Sequence, residues 1–129
     1  MIKISTEKPS VYEKLREAFG IDWETGVYIT YGDTVYCKDG YLPPNVIVHE
    51  QVHIDQQKGW NLDEYVDKFI NDKQFRFEKE VEAFQAEAKW MRSNIKDRNE
   101  LHTRLDWMWK KMATHYGDMI SYQHAKEII

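Results

Sequence analysis

The sequence predicts an α+β domain that is mainly helical and contains one small antiparallel β-hairpin. Apolar residues recur at helical spacing over most of the chain after residue 60, which indicates amphipathic helices. Residues 26–37 are instead rich in β-branched and aromatic side chains, a composition typical of strands. No repeat, low-complexity tract or long linker divides the sequence, so we expect a single domain over residues 1–129.

The chain before residue 26 is predicted to contain one helix, preceded by a short strand or an irregular end at residues 2–5. The helix spans Ser10 to Phe19, because Pro9 is tolerated at a helix start and Gly20 favours a stop. Its predicted inner face consists of four apolar residues: Val11, Leu15, Ala18 and Phe19.

A β-hairpin is predicted over Gly26 to Cys37. Its strands, Val27–Tyr31 and Thr34–Cys37, are joined by Gly32-Asp33, a pair suited to a two-residue type II′ turn. The outer edge of the hairpin has two interpretations. It holds an extended peptide by main-chain pairing, or the small sheet only covers the helix that follows.

Five helices are predicted after the hairpin. They span about residues 45–57, 61–70, 72–97, 99–115 and 121–129. Asn61, Asp72 and Ser121 each stand at a predicted helix start, where a side-chain oxygen can accept a hydrogen bond from a free backbone N–H. Gly59 and Gly117 mark helix ends.

The helix at residues 45–57 contains His49-Glu50-Gln51-Val52-His53, an H-E-x-x-H pattern. Residues four apart on a helix share a face, so both imidazoles can converge on one Zn²⁺. Glu50 flanks this pair, where a general base for a zinc-bound water is needed. The alternative is a pair of hydrogen-bonded core histidines without a metal.

The surroundings of the motif predict a buried helix. Apolar residues point in several directions around it: Val46, Ile47, Val48, Val52 and Ile54. A helix that is apolar on most of its circumference is usually buried. Two histidines and a glutamate in such a helix need polar partners, and a metal ion would satisfy them.

The third metal ligand is predicted on the helix at residues 72–97. The apolar stripe of this helix is Phe77, Val81, Phe84, Ala88, Met91 and Ile95. Glu80 lies at the edge of the stripe and is the preferred ligand, with Glu87 as a supporting carboxylate or fallback ligand. Glu78 and Glu82 should face solvent. The alternative role for Glu80 is a salt bridge to Arg76, one turn earlier.

These blocks resemble the gluzincin branch of zinc metallopeptidases, and more closely the small metallopeptidases encoded in bacteriophage genomes. The similar features, spread over residues 27–129, are VHEQVHIDQQ, Phe75-Arg76, Glu80-x-x-Ala83-Phe84, Tyr116-Gly117, Ile120-Ser121 and Ala125. The resemblance implies a zincin-like fold and a zinc-dependent hydrolase that cleaves a peptide or amide bond. Its substrate would be a peptide or protein.

One position departs from the gluzincin pattern. The residue four after the ligand glutamate is often an aspartate that orients the first histidine, whereas this chain has Phe84. Since a metal-bound histidine usually donates its other N–H to an oxygen, His49 needs another acceptor. A backbone carbonyl, Glu87 and Asp55 are the alternatives.

A tyrosine or histidine that stabilises the oxyanion is also expected at such a site. Tyr116 is the first choice among the residues of suitable type. The other candidates are Tyr31, Tyr65, His115 and His124. Each of them can equally be a half-buried aromatic residue or a surface histidine.

Composition restricts the partners and the location. The formal charge is −4 and no Lys/Arg run is present, so neither nucleic acid nor a membrane is an expected partner. The only cysteine, Cys37, cannot form an internal disulfide. With no signal peptide at the N-terminus, we expect a cytoplasmic protein, in the host cell cytoplasm or the virion if a phage encodes it. A homodimer or a virion assembly is the expected form of association.

The main alternative function is a non-catalytic, zinc-containing structural or binding protein, such as a virion component. Structural zinc sites normally have four protein ligands, with thiolates among them. Cys37 alone does not indicate such a site, and Glu50 beside the two histidines favours the enzyme.

Overall fold

A computed structural model describes residues 2–129 and confirms a mainly helical α+β protein. The strands are β1 (Lys3–Ser5), β2 (Ile29–Tyr31) and β3 (Thr34–Tyr36). The helices are α1 (Tyr12–Phe19), α2 (Pro44–Gln57), α3 (Leu62–Asn71), α4 (Lys73–Asn94), α5 (Arg98–His115) and α6 (Tyr122–Ile128). A short 3-10 helix covers Trp23–Thr25.

The predicted hairpin is present, but the sheet is larger than the hairpin. Strands β2 and β3 pair antiparallel, and Gly32 begins the turn with a φ of 68°. Strand β1 adds to the other side of β3 in parallel, with Ile4 opposite Val35. The strand order is β1-β3-β2, so the prediction of a purely antiparallel hairpin was incomplete. Strand β2 lies at the edge of the sheet.

The predicted helix caps are confirmed, and one helix is shorter than expected. Backbone N–H groups donate to Asn61, Asp72 and Ser121. Helix α4 ends at Asn94, three residues before the predicted end. Asp97 accepts hydrogen bonds from two backbone N–H groups of α5, so it begins the next helix instead of ending α4.

The inner face of α1 was predicted only in part. Val11 and Tyr12 are buried, whereas Ala18 is exposed and Phe19 is 39% exposed. The hydroxyl of Tyr12 accepts a hydrogen bond from the backbone N–H of Trp23 at 3.1 Å. This contact holds the N-terminal end of the helix against the core.

The core consists of three clusters, of which the one formed by Tyr12, Trp23 and Ile29 joins α1 to β2 and the other two lie on the two sides of α2. Helices α4, α5 and α6 enclose the larger cluster, centred on Met108 and Met112. The sheet packs a smaller cluster, which includes Val35 and Cys37, against Ile54 of α2. Helix α2 therefore lies between the sheet and α4, and its side chains meet both. No helix within residues 2–129 is long and apolar enough to cross a membrane.

Candidate metal centre

Helix α2 buries polar side chains. Asn45, His49, Glu50 and Gln57 are each at most 9% exposed, while Ile47 is 42% exposed. The expectation that apolar residues would bury this helix on most sides was therefore wrong. The sheet and α4 cover its polar face. Buried polar groups need partners, so this face marks the site.

The three predicted metal ligands converge. The ligand atoms of His49, His53 and Glu80 all lie within 4.8 Å of one another. The Nε2 atoms of the two histidines are 3.2 Å apart. Two nitrogens bound to one tetrahedral zinc at about 2.0 Å would be roughly 3.3 Å apart. The spacing of the imidazole pair suits a shared metal ion, and it equally suits a direct N–H···N hydrogen bond, which is the alternative raised from the sequence.

The other nitrogen of each ring faces an acceptor oxygen. His53 Nδ1 donates to Gln56 Oε1 at 2.8 Å, and Gln56 is oriented by donating to the carbonyl of Lys79 at 3.0 Å. His49 Nδ1 lies 2.9 Å from Glu87 Oε1, in a contact too oblique to be a hydrogen bond. With these acceptors at Nδ1, both Nε2 atoms are left to face Glu80 and each other.

Of the acceptors predicted for His49, the fold brings Glu87 into contact with it. Its second oxygen accepts a hydrogen bond from Asn45 Nδ2 at 2.8 Å. Asp55 pairs instead with Lys58 and Gln51 at the surface. Glu87 stands seven residues after Glu80, on the same face of α4. It supplies a carboxylate to His49, as the aspartate often found at the position of Phe84 does in the gluzincin pattern. The ring of Phe84 packs on His49, with centroids 4.7 Å apart.

The charges at the centre show that it favours a cation. His53 Nε2 and Glu80 Oε1 are 2.7 Å apart. Burial lowers the pKa of His53, but the hydrogen bond and charge of Glu80 outweigh it and raise the pKa to about 9. Burial raises the pKa of Glu80, but His53 outweighs it and lowers the pKa to about 2. His53 Nε2 thus faces Glu80 through the atom that a metal ion would need, and two imidazoles with one carboxylate are a donor set that fits zinc.

The alternative salt bridge from Glu80 to Arg76 does not form. Arg76 Nη1 donates to the carbonyls of Phe69 and Ile70, at 2.8 and 3.0 Å. Those carbonyls lie at the end of α3, where helix carbonyls lack partners. Glu78 and Glu82 are exposed, as predicted.

Glu50 lies on the sheet side of the histidine pair and is 7% exposed. Thr30 of β2 donates to its Oε2 at 2.5 Å. Within residues 2–129, its Oε1 forms no hydrogen bond. One oxygen is thus held against the sheet while the other stays free beside the metal ligands.

Gln57 occupies part of the outer edge of β2. Its Nε2 donates to the carbonyl of Thr30 at 2.9 Å, and its Oε1 accepts from the N–H of Gly32 at 2.7 Å. These backbone groups point away from β3. A peptide cannot pair with them while Gln57 does, which favours the covering role of the sheet at this end of the strand.

Replacing Gln57 with leucine is expected to lower the free energy of unfolding by about 1–3 kcal/mol, because two partly buried backbone groups lose their partner. Urea unfolding measures this. The control is Gln51→Leu, whose amide bonds only to the exposed Asp55. Equal stability of both variants would show that the Gln57 contacts contribute nothing.

The candidate oxyanion donors divide into two groups. Tyr116 is 7% exposed, and burial and the charge of Glu80 both raise its pKa, so it lies within electrostatic range of the ligands. Tyr65 is buried and donates to Gln56 Oε1 at 3.3 Å. Tyr31 bonds to Asp63 at the surface, and His115 and His124 are exposed. The fold brings only the first two near the centre.

Sequence reasoning missed the polar residues that support the ligands. Asn45 is four residues before His49, and Gln56 is three after His53, so each shares a helix face with the ligand it supports. Helical spacing therefore contained a signal for both. Arg104, which donates to Asn45 Oδ1 at 3.2 Å, lies on α5 and had no comparable local signal.

Replacing Glu87 with glutamine is expected to weaken zinc binding about 10–100-fold, since it removes the charge that orients His49. A competition titration with a fluorescent chelator measures the affinity. Glu82→Gln, an exposed change on the same helix, is the control. Equal affinities of the two variants would rule out a role for Glu87 at the metal.

Comparison of the chain with protein families, curated proteins and solved structures gives no match. The functional argument therefore rests on the geometry of this centre.

Proposed function

We propose that this protein is a zinc-dependent hydrolase that cleaves a peptide or amide bond, on a reduced zincin-like fold. The observation that carries the proposal is the convergence of His49, His53 and Glu80 beside a buried Glu50. Two imidazoles and one carboxylate form a ligand set of catalytic zinc sites, whereas structural sites usually add thiolates. Cys37 lies in the cluster between the sheet and α2 and is not among these ligands.

His49, His53 and Glu80 would hold the zinc. When bound, the ion would supply a Lewis acid that makes water more acidic and polarises the scissile carbonyl. Gln56 and Glu87 lie at the Nδ1 atoms of the two imidazoles, so the Nε2 atoms face the position that the metal would occupy.

Glu50 is the proposed general base. Thr30 fixes Oε2, and the free Oε1 takes a proton from the attacking water and then delivers it to the leaving amine. Tyr116 is the proposed donor to the developing oxyanion, supported by its burial within electrostatic range of Glu80.

The test uses zinc-loaded wild type, Glu50→Gln and Glu82→Gln, incubated with a random decapeptide mixture and followed by mass spectrometry. We expect wild type and Glu82→Gln to cleave at the same positions. Glu50→Gln should retain zinc and lose at least about 100-fold in rate, the typical contribution of a general base.

Zinc retained in all three proteins, with no cleavage that depends on Glu50, would contradict the hydrolase and leave a structural zinc protein. Cleavage that persists unchanged in Glu50→Gln would show a contaminating peptidase.

A further inference from the structure

A cavity of about 310 Å³ adjoins the metal centre between the start of α2, α4 and α5. It is lined by Asn45, Glu87, Met91, Thr103, Arg104 and Trp107. Trp107 is 58% exposed, which is unusual for so large an apolar side chain. Because Glu87 lies behind His49, the cavity is one residue away from a metal ligand.

One face of α5 borders this cavity. Arg104, Trp107 and Lys111 are spaced three and four residues apart, so they lie along one side of the helix. Lys111 Nζ lies 4.8 Å from the ring centroid of Trp107 and 5.6 Å from that of Phe84. Since Phe84 packs on His49, the Lys111 ammonium extends this side of the helix toward the metal centre.

The two cations of this face, Arg104 and Lys111, form no close ion pair within residues 2–129. Within residues 2–129, no carboxylate lies within 4.0 Å of Lys111. Arg104 has only a loose contact with Glu100, at 3.7 Å and largely exposed. Glu87 has both oxygens engaged, by His49 and Asn45.

We propose that Arg104 and Lys111 bind a carboxylate of the peptide substrate, with Trp107 packing against the residue that carries it. This inference rests on the proposed hydrolase and names its substrate class. In a chain of net charge −4, Lys111 forms no ion pair within residues 2–129 and Arg104 forms only the loose one with Glu100, so two cations beside an exposed indole favour an anionic ligand. The carboxylate is an Asp or Glu side chain, or the free C-terminus of the peptide.

The competing role is charge balance, because Glu50, Glu80 and Glu87 place three carboxylates near these cations. A charge-balancing Lys111 would affect metal binding and stability, but it would not distinguish a glutamate peptide from its glutamine counterpart. Peptide preference therefore separates the two roles.

The experiment measures calorimetric binding of three tetrapeptides to zinc-loaded and chelator-treated protein. The probes are acetyl-Ala-Ala-Glu-Ala-amide, acetyl-Ala-Ala-Gln-Ala-amide and acetyl-tetraalanine with a free carboxylate. The variants are Arg104→Gln and Lys111→Gln. Lys110→Gln is the matched control, because Lys110 is adjacent, largely exposed and paired with Asp106.

We expect wild type and Lys110→Gln to bind at least one carboxylate probe about tenfold more tightly than the glutamine probe, as expected for a charged hydrogen bond. Both test variants should lose this preference. The preferred probe identifies the side chain or the C-terminus as the source of the carboxylate.

No preference in wild type, or the same preference in Lys111→Gln as in Lys110→Gln, would overturn the proposal. Loss of zinc from Lys111→Gln with the preference intact would assign charge balance instead. Carboxylate preference without cleavage that depends on Glu50 would leave this site standing while the hydrolase fails.

Discussion

Replacing His53 with alanine is expected to abolish stoichiometric zinc binding. The change removes one of three ligands and the imidazole that holds Glu80 at 2.7 Å. Since structural zinc in small domains contributes on the order of 10 kcal/mol, the zinc-dependent rise in melting temperature should disappear as well. Elemental analysis of protein purified without a metal-binding tag measures the content, about one zinc per wild-type chain.

Glu80→Gln should lose zinc as His53→Ala does, and Glu82→Gln should keep zinc as wild type does. The reason is that the Glu80 carboxylate faces the histidines, whereas Glu82 is exposed. Zinc lost from Glu82→Gln but kept in Glu80→Gln would show that the rotation of α4 is wrong. Wild type without zinc, and without stabilisation by added zinc, would remove the metal centre altogether.

Zinc affinity is expected to fall about tenfold for each pH unit below pH 9. His53 must lose its proton to bind metal, and its pKa is raised to about 9 by Glu80. Glu80 adds no further dependence above pH 4, since its pKa is lowered to about 2. Calorimetric titration between pH 6 and 8 measures the slope. A zinc affinity independent of pH would contradict the raised pKa of His53.

The stability of the zinc-free protein should follow the opposite course. The raised pKa of His53 stabilises the fold fully below the ordinary value of 6.5, and this stabilisation is lost as the pH rises toward 9. The lowered pKa of Glu80 stabilises the fold fully above the ordinary value of 4.5, and this stabilisation is lost as the pH falls toward 2. We expect zinc-free protein to be most stable between these ordinary values. Urea unfolding with and without zinc tests this.

The convergence of His49, His53 and Glu80 was predictable because it depends on local periodicity. The histidines are one turn apart on α2, and the stripe on α4 placed Glu80 and Glu87 inward and Glu82 outward. Helix spacing alone determines which residues share a face. Contact between the two helices then brings those faces together.

Features that depend on the packing of distant elements were not predictable. A strand was one of the two alternatives predicted for residues 2–5, and β1 confirms it, but its parallel pairing with β3 joins residues about 31 positions apart and had no local signal. Arg104 reaches Asn45 across 59 positions of sequence. Tyr12 of α1 contacts the distant Trp23, so the apolar residues of the helix alone predicted its inner face only in part.

The amide of Gln57 has a consequence for self-association. An edge strand with free N–H and C=O groups is a template on which a second copy of the chain can pair, and proteins usually protect such edges with charge, proline or a bulge. Here a side chain of the motif helix supplies one donor and one acceptor, much as another strand would. The helix that carries the candidate metal ligands therefore also blocks this part of the β2 edge against pairing with a second copy of the chain.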